Sequence, residues 1–484
     1  MRDFKINNTI PFWLFTLSLI MILVVSQLIQ EGMFMDGLFY TCVGKNLADG
    51  LGSFWNPHLS KTYMYTFHVQ PPLYFGILAV FYKVLGSSMY VERLFSLVFF
   101  TGTAFYIHII WKRIYKDKLE ISKHSWLPIL FWSTIPICFW AYTNNVEEVV
   151  MSFFAIASVY HIYIAIINNE RMVYNLIVAG VFIFLSSLTK GIQGMFPLIG
   201  VGAFWILSFN ISFKKMLYYS LILFSVPIII YGFLILTNKD VLIFYDYYFK
   251  IRYVRSFNNV ESTTTNRLDI IIQLFMEILP ILSISTLFLG MTKKRRKKEG
   301  IQLQYKLMFW FVLIGLAGSL PLMVTLEQRN FYLVTCLPYF AIAISMLIAP
   351  QLTSLIDSLH TNKLGFKITL IICTLLFMAS IIFTVSMVGK VKRDADALSD
   401  INSFGKILPH GDIISIPSEM MEDWSTRYYL LRYYYLSLDI YNKDNHYFMI
   451  RKNLSKALVP KHYKAFPLKT KFLDLYILDK KINQ

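Results

Sequence analysis

Long apolar runs, broken by short polar stretches, fill most of this chain. Runs of bilayer-spanning length, about 17 to 25 residues, fall near 10–30, 88–111, 126–146, 148–167, 173–189, 195–210, 215–236, 268–290, 306–326, 330–349 and 366–388. The pattern predicts eleven transmembrane helices. A shorter run, "PPLYFGILAVFYKVLG" (71–86), opens on two prolines and closes on Gly86. It either spans or lies along the membrane surface.

Charge decides between these. With 71–86 on the surface, "WKRIYKDK" (111–118), Arg171, "FKK" (213–215) and "KKRRKK" (293–298) all face the cytoplasm, as the bias of Lys and Arg towards inner loops requires. With 71–86 spanning, the six-residue basic run would lie outside. The interfacial helix is therefore expected. The outer side then receives the long first loop (31–87), "NNVEE" (144–148), "TKGIQG" (189–194), the loop 237–266, "EQRN" (327–330) and the C-terminal tail. From about residue 390 the periodicity changes. "GDIISIP", "HYFMIRK" and "FLDLYILDK" read as strands and "WSTRYYLLRYYYLSLDI" as a helix. The expected architecture is an all-α polytopic membrane domain (1–389) followed by a small extracytoplasmic α/β domain (390–484).

Composition agrees: 56% of the 484 residues are hydrophobic and only 15% charged, against about a quarter charged in soluble domains. In such a chain the net charge of +17 reads as basic inner loops plus a basic tail, which argues against a nucleic-acid partner. The four cysteines have no metal-type spacing, and three lie in apolar runs, which disfavours a disulfide framework. The first apolar run resembles a signal sequence, but it is too long and no small-residue cleavage motif follows it. An uncleaved anchor is expected.

Asp36 stands among Met33, Phe34, Met35, Leu38, Phe39 and Tyr40. A carboxylate in such surroundings is costly unless paired or used, and it could accept a proton as a general base. Glu147 and Glu148 come at an outer junction; about 100° apart on a helix, at most one of them faces a central cavity with Asp36. Lys190 lies on the same face, and Arg252, Arg255, Arg267 and Arg329 at or near it. Such cations supply what a phosphate leaving group needs. His58 and His68 flank "KTYMYTF" and are candidate ligands for a divalent metal. There is no P-loop, dinucleotide fingerprint or GxSxG, which disfavours a nucleotide-driven pump and a serine hydrolase.

"MDGLFYTCVGKNLADGLGSFW", "HVQPPLYFGILAVFYKVLG" and "VERLFSLVF", followed by "NNVEEVVMSFFAIASVY", "SLTKGIQGMFPL" and "EQRNFYLVTCLPYFAIA", resemble in order the GT-C membrane glycosyltransferases. The similarity is to the protein O-mannosyltransferase and lipid A aminoarabinose transferase group, particularly its bacterial members, over about residues 10–350. The resemblance implies an inverting sugar transfer from a polyprenyl-phosphate-linked donor to a lipid, glycan or protein acceptor, at the outer face of the bacterial inner membrane. It implies that Asp36 is the catalytic carboxylate, that Glu148 is near a second acidic position, and that Lys190 is near the donor phosphate. Arg255 and Arg329 are implied as further donor-phosphate residues. Relatives commonly carry an acid before the prolines where this chain has Val69 and Gln70, so no metal is assigned. The rival reading, a transporter or flippase of a lipid-linked or anionic substrate, predicts ionisable residues mid-helix and interrupted, repeated halves. The sequence pattern displays neither.

Overall fold

The structure is a computed structural model that describes residues 8–207, 211–258, 262–293 and 304–479. The start of the N-terminal basic segment and the basic run from Lys294 lie outside the described residues. By internal contacts the chain divides into two compact units, one of residues 1–29, 69–71 and 96–388, the other of 30–68, 72–95 and 389–484.

The helices of the long apolar stretches are α1 (Ile10–Leu28), α2 (Met89–Ile114), α3 (Trp126–Thr134), α4 (Pro136–Thr143), α5 (Glu148–Ile166), α6 (Met172–Lys190), α7 (Phe213–Thr237), α8 (Asp269–Met291), α9 (Tyr305–Ser319), α10 (Leu337–Asp357) and α11 (Leu364–Ser386). Residues of α2 through Phe95 are counted with the second unit. Helices α5 and α10 are buried over most of their length, whereas α7, α8 and α11 bury one narrow face and leave most of their apolar side chains exposed. That pattern suits central and lipid-facing helices respectively.

Among the described residues, nine stretches are long and apolar enough to cross a membrane, ten if α3 and α4 form one bent span. The difference from eleven lies at 172–206, one continuous apolar stretch. It nevertheless turns back on itself. Gly191 breaks α6 with φ 71° and ψ −144°, a conformation that side chains strain to adopt. A 3-10 segment (Gly191–Ile199) and a short helix (Gly200–Ile206) follow. A Cβ on Gly194 would lie 2.3 Å from the Ser186 carbonyl oxygen, although residues eight apart on a straight α-helix are about 12 Å apart. Further along, the Trp310 indole donates to the Gly200 carbonyl at 2.8 Å.

The run 126–146, read as one helix, is bent by 75° between α3 and α4. Pro136 is the cause: it lacks an N–H and forces Ile135 into an extended conformation (φ −64°, ψ 126°). The exposed start of α4 finds its acceptor in Glu277 of α8, whose carboxylate takes the Ile137 N–H at 3.0 Å.

In the second unit, the first loop folds as helices at Met35–Ala48 and Leu73–Leu85. The latter, about 20 Å long at 1.5 Å per residue, is too short to span. The tail supplies a five-stranded sheet of β1 (Ile413–Ser415), β2 (Ser437–Asp439), β3 (Tyr447–Arg451), β4 (Tyr463–Ala465) and β5 (Leu473–Leu478), in the order β2-β1-β3-β5-β4. Its β1 pairs are parallel and its β5 pairs antiparallel. The tail helix, expected to run through Ile440, ends at Tyr434, because Tyr435 takes a left-handed conformation (φ 57°) and the chain turns into β2. Arg432 of that helix pairs with Glu92 at 2.8 Å, both almost fully buried. Glu92 also accepts from the Tyr82 hydroxyl at 2.5 Å.

Replacing Glu277 by Ala is expected to cost about 1–3 kcal/mol by orphaning the Ile137 N–H, and by Gln distinctly less; thermal melting in detergent measures both. In the same assay, Gly194→Ala is expected to destabilise by about 1–3 kcal/mol. Gly202→Ala, where a Cβ meets nothing within 4 Å, is expected to be neutral or mildly stabilising.

Candidate functional site

Residues from one end of the first unit line a cavity of about 460 Å³. It lies where α5 begins, α6 ends and the segment after α9 turns towards α10. Met195, Phe196, Tyr248, Phe257, Pro321 and Leu322 provide apolar wall. The charged side chains on the wall are Lys190, Arg252 and Glu327, two cations and one anion.

Lys190, the last residue of α6, is buried. Its ammonium pairs with Glu148, the first residue of α5, and lies 3.7 Å from a carboxylate oxygen of Glu147. It also sits 4.8 Å from the Tyr332 ring centroid and 5.9 Å from that of Phe331, within cation–π range. Both glutamates are fully buried, so the lysine is their compensating charge; a buried carboxylate without one is strongly disfavoured. The start of α5 also favours an anion through the helix dipole.

Across the cavity, the Arg252 guanidinium lies 2.7 Å from Glu327 and donates to the Tyr332 hydroxyl at 3.1 Å. Tyr332 donates to Glu327 at 3.3 Å, and the Ser256 hydroxyl donates to the same carboxylate at 3.1 Å. Burial raises the pKa of the Tyr332 phenol, partly offset by Arg252 and Lys190, so it stays a neutral donor at pH 7. The loop carrying Glu327 is pinned by Gln328, which accepts from the Ile270 N–H at 2.9 Å and donates to the Arg267 and Thr325 carbonyls at 3.0 Å.

Of the residues marked in the sequence, Glu148 and Lys190 are brought together. Arg255 and Arg329 are exposed and are not on the cavity wall. Arg252 is on it, as are Glu327 and Tyr332. The segment 237–266, read as a polar loop, carries a helix at Lys239–Tyr248 that continues as helical turns to Phe257. Tyr248, Arg252 and Ser256, four residues apart, all line the cavity. That period, visible in the residues once the segment is read as helical, distinguishes Arg252 from Arg255. Gln70, just before Pro71 and Pro72, lines the same cavity.

Asp36 belongs to the second unit. It is half-buried in the first turn of the helix Met35–Ala48, where the helix dipole again favours an anion. Burial chiefly suppresses ionisation of Tyr428, and the charge of Asp36 adds to that effect. His58 uses both ring nitrogens, one 2.8 Å from the Tyr65 carbonyl and one 2.9 Å from the Tyr435 hydroxyl. Burial lowers the pKa of His58 and His68 alike. Among the described residues no group of three or more His, Cys, Asp or Glu is arranged to hold a metal ion. The imidazole of His58 is committed, and Glu148 and Glu327 are paired to cations.

No protein-family model matches the chain, and no curated protein matches it. Solved structures do. ArnT from Cupriavidus metallidurans bound to undecaprenyl phosphate superposes with a TM-score of 0.69 at 12% identity, over 96% of this chain and 97% of that one. ArnT in the apo state gives 0.65 at 11%, over 94% and 95%. The archaeal oligosaccharyltransferase AglB from Archaeoglobus fulgidus, in complex with an inhibitory peptide and a dolichol-phosphate, gives 0.47 at 12%, over 88% and 64%. The mostly helical chain, with its membrane spans and small C-terminal sheet, has the ArnT-like fold of the GT-C membrane glycosyltransferases.

Proposed function

We propose that this protein is an inverting glycosyltransferase that takes its sugar from a polyprenyl-phosphate-linked donor. The carrying observation is the cavity itself, an apolar hollow with Lys190 and Arg252 on its wall, which suits a lipid chain bearing a phosphate. The shared fold with ArnT, a protein solved with undecaprenyl phosphate bound, supports the same reading.

In the proposed reaction, the acceptor oxygen or nitrogen attacks the anomeric carbon from the face opposite the leaving group. The bond from that carbon to the phosphate oxygen breaks, and the lipid phosphate leaves as an anion. Asp36 takes the acceptor's proton as general base. Lys190 and Arg252 stabilise the charge that grows on the phosphate. Glu148 holds the Lys190 ammonium in place, and Glu327 does so for Arg252 until the phosphate competes for it. Arg255 and Arg329, both exposed, act at most on the donor's approach. No step is routed through a metal. The active site is proposed to face the outside of the bacterial inner membrane, since that orientation keeps the basic loops inside. The acceptor is a lipid, a glycan or a protein.

A transporter or flippase is favoured by one observation, the broken helix pair α3–α4 with Glu277 of α8 on its break, the kind of feature such proteins use. Purified protein incubated with radiolabelled polyprenyl-phosphate sugars separates the two readings: a transferase releases the lipid phosphate, and a transporter moves the intact donor across a vesicle wall.

In that assay Asp36→Asn is expected to abolish transfer while leaving membrane insertion and melting temperature unchanged; unchanged transfer would remove Asp36 from the reaction. Arg252→Gln is expected to lower transfer about 10- to 100-fold, the loss of one charge-assisted contact. Arg255→Gln is expected to stay within about two-fold, as for an exposed side chain.

A further inference from the structure

A second cavity, of about 720 Å³, lies at the opposite end of the same bundle. Its wall is formed where α2 and α5 end and α9 begins. Helix α5 starts at Glu148, the partner of Lys190, and ends at this second cavity, a run of 19 residues or about 28 Å at 1.5 Å per residue. That is close to the hydrocarbon thickness of a bilayer, about 30 Å. With α5 crossing a bilayer, the second cavity falls at headgroup depth in the other leaflet.

Its chemistry is one-sided. Arg113, Lys116 and Lys306 bring three cations to the wall, against Asp117. Arg113 pairs through one guanidinium nitrogen with Glu170, while its Nε and the Asn168 side-chain nitrogen are buried without an acceptor among the described residues. The first turn of α9 (Tyr305, Lys306, Leu307) also lines it, and first-turn N–H groups have no partner within their helix. The last-turn carbonyls of α2 and α5 are acceptors on the same wall, so it is the charged side chains, three cations to one carboxylate, that make it positive. Beside them stand Ile114, Ile167 and Leu307, which offer apolar surface to the start of a lipid chain.

We propose that this cavity is a binding site for the phosphate headgroup of an anionic membrane lipid. The phosphate lies between Lys116, Lys306 and the free Nε of Arg113, at the positive end of α9, where anions bind most readily. The chain leaves along the isoleucines. Basic pockets between transmembrane helices are a recurrent way to hold such headgroups. The site is independent of the proposed sugar transfer.

The test uses the full-length protein in nanodiscs of phosphatidylcholine alone or containing phosphatidylglycerol. Phosphatidylglycerol is expected to raise the melting temperature of the wild type, and native mass spectrometry is expected to retain it. Lys116→Gln/Lys306→Gln is expected to bind it about thirty-fold more weakly, the effect of two such charges, and to melt like the wild type in phosphatidylcholine. Asn168→Asp, which adds an anion to the wall with little change of shape, is expected to weaken binding even if the double variant folds poorly. Equal retention of phosphatidylcholine and phosphatidylglycerol would overturn the proposal. So would stabilisation by inorganic phosphate without any by phosphatidylglycerol, which would mark a site for the free ion. Unchanged phosphatidylglycerol binding by the Asn168→Asp variant would overturn it as well.

Discussion

A lysine buried beside two glutamates organises the polar end of the first unit. Lys190 is the positive charge paired with Glu148 and near Glu147, and no polypeptide interior tolerates such carboxylates uncompensated. The pair ties the start of α5 to the end of α6. It also fixes where α6 must stop, since the next residue, Gly191, turns the chain back. Tyr332 then packs its ring against the same ammonium and passes its hydroxyl to Arg252 and Glu327. Removing the lysine charge would strand Glu148 and loosen the wall of the cavity together, so binding and folding are coupled here.

The second unit uses a similar device for another end. Arg432, on the tail helix, meets Tyr82 from the first loop and Glu92 from the start of α2, and donates to the Ser87 carbonyl at 2.9 Å. Tyr429 accepts the Met33 N–H at 2.9 Å and donates to Asp394 at 3.1 Å. The "RYYLLRYYYL" stretch is thus largely a packed face, with Tyr428, Tyr429 and Arg432 buried. The helix that bears Asp36 packs against it, through Phe39 beside Tyr428 and Cys42 donating to the Tyr428 carbonyl. The tail thereby supports the loop that bears the proposed base.

Several features were legible because they are local. Apolar run length located the spans, Pro71 and Pro72 with Gly86 bracketed the short helix, and the change of period near 390 announced strands. Others were not. Pro136 was visible, but whether a proline kinks a span or sits at its end depends on an acceptor such as Glu277, 140 residues away. The segment 237–266 looked like a loop because its polar residues obscured a helix with only one face turned to a cavity. Strands β2 and β4, three residues each, are too short to show an alternation.

What the residue pattern determined by itself was the class of protein, most of its spans and the set of charges at their ends, since each follows from the cost of placing a polar group in hydrocarbon. Which of those charges act together was decided only by the tertiary structure. Lys190, Arg252, Glu327 and Gln70 come from four separate stretches, and nothing in their spacing along the chain says that they share one wall. Helix packing chose Arg252 over Arg255 by the angle between them around the axis of the helical turns that follow Tyr248. A side chain's reach into a cavity depends on that angle, and the angle is set by the neighbours it packs against.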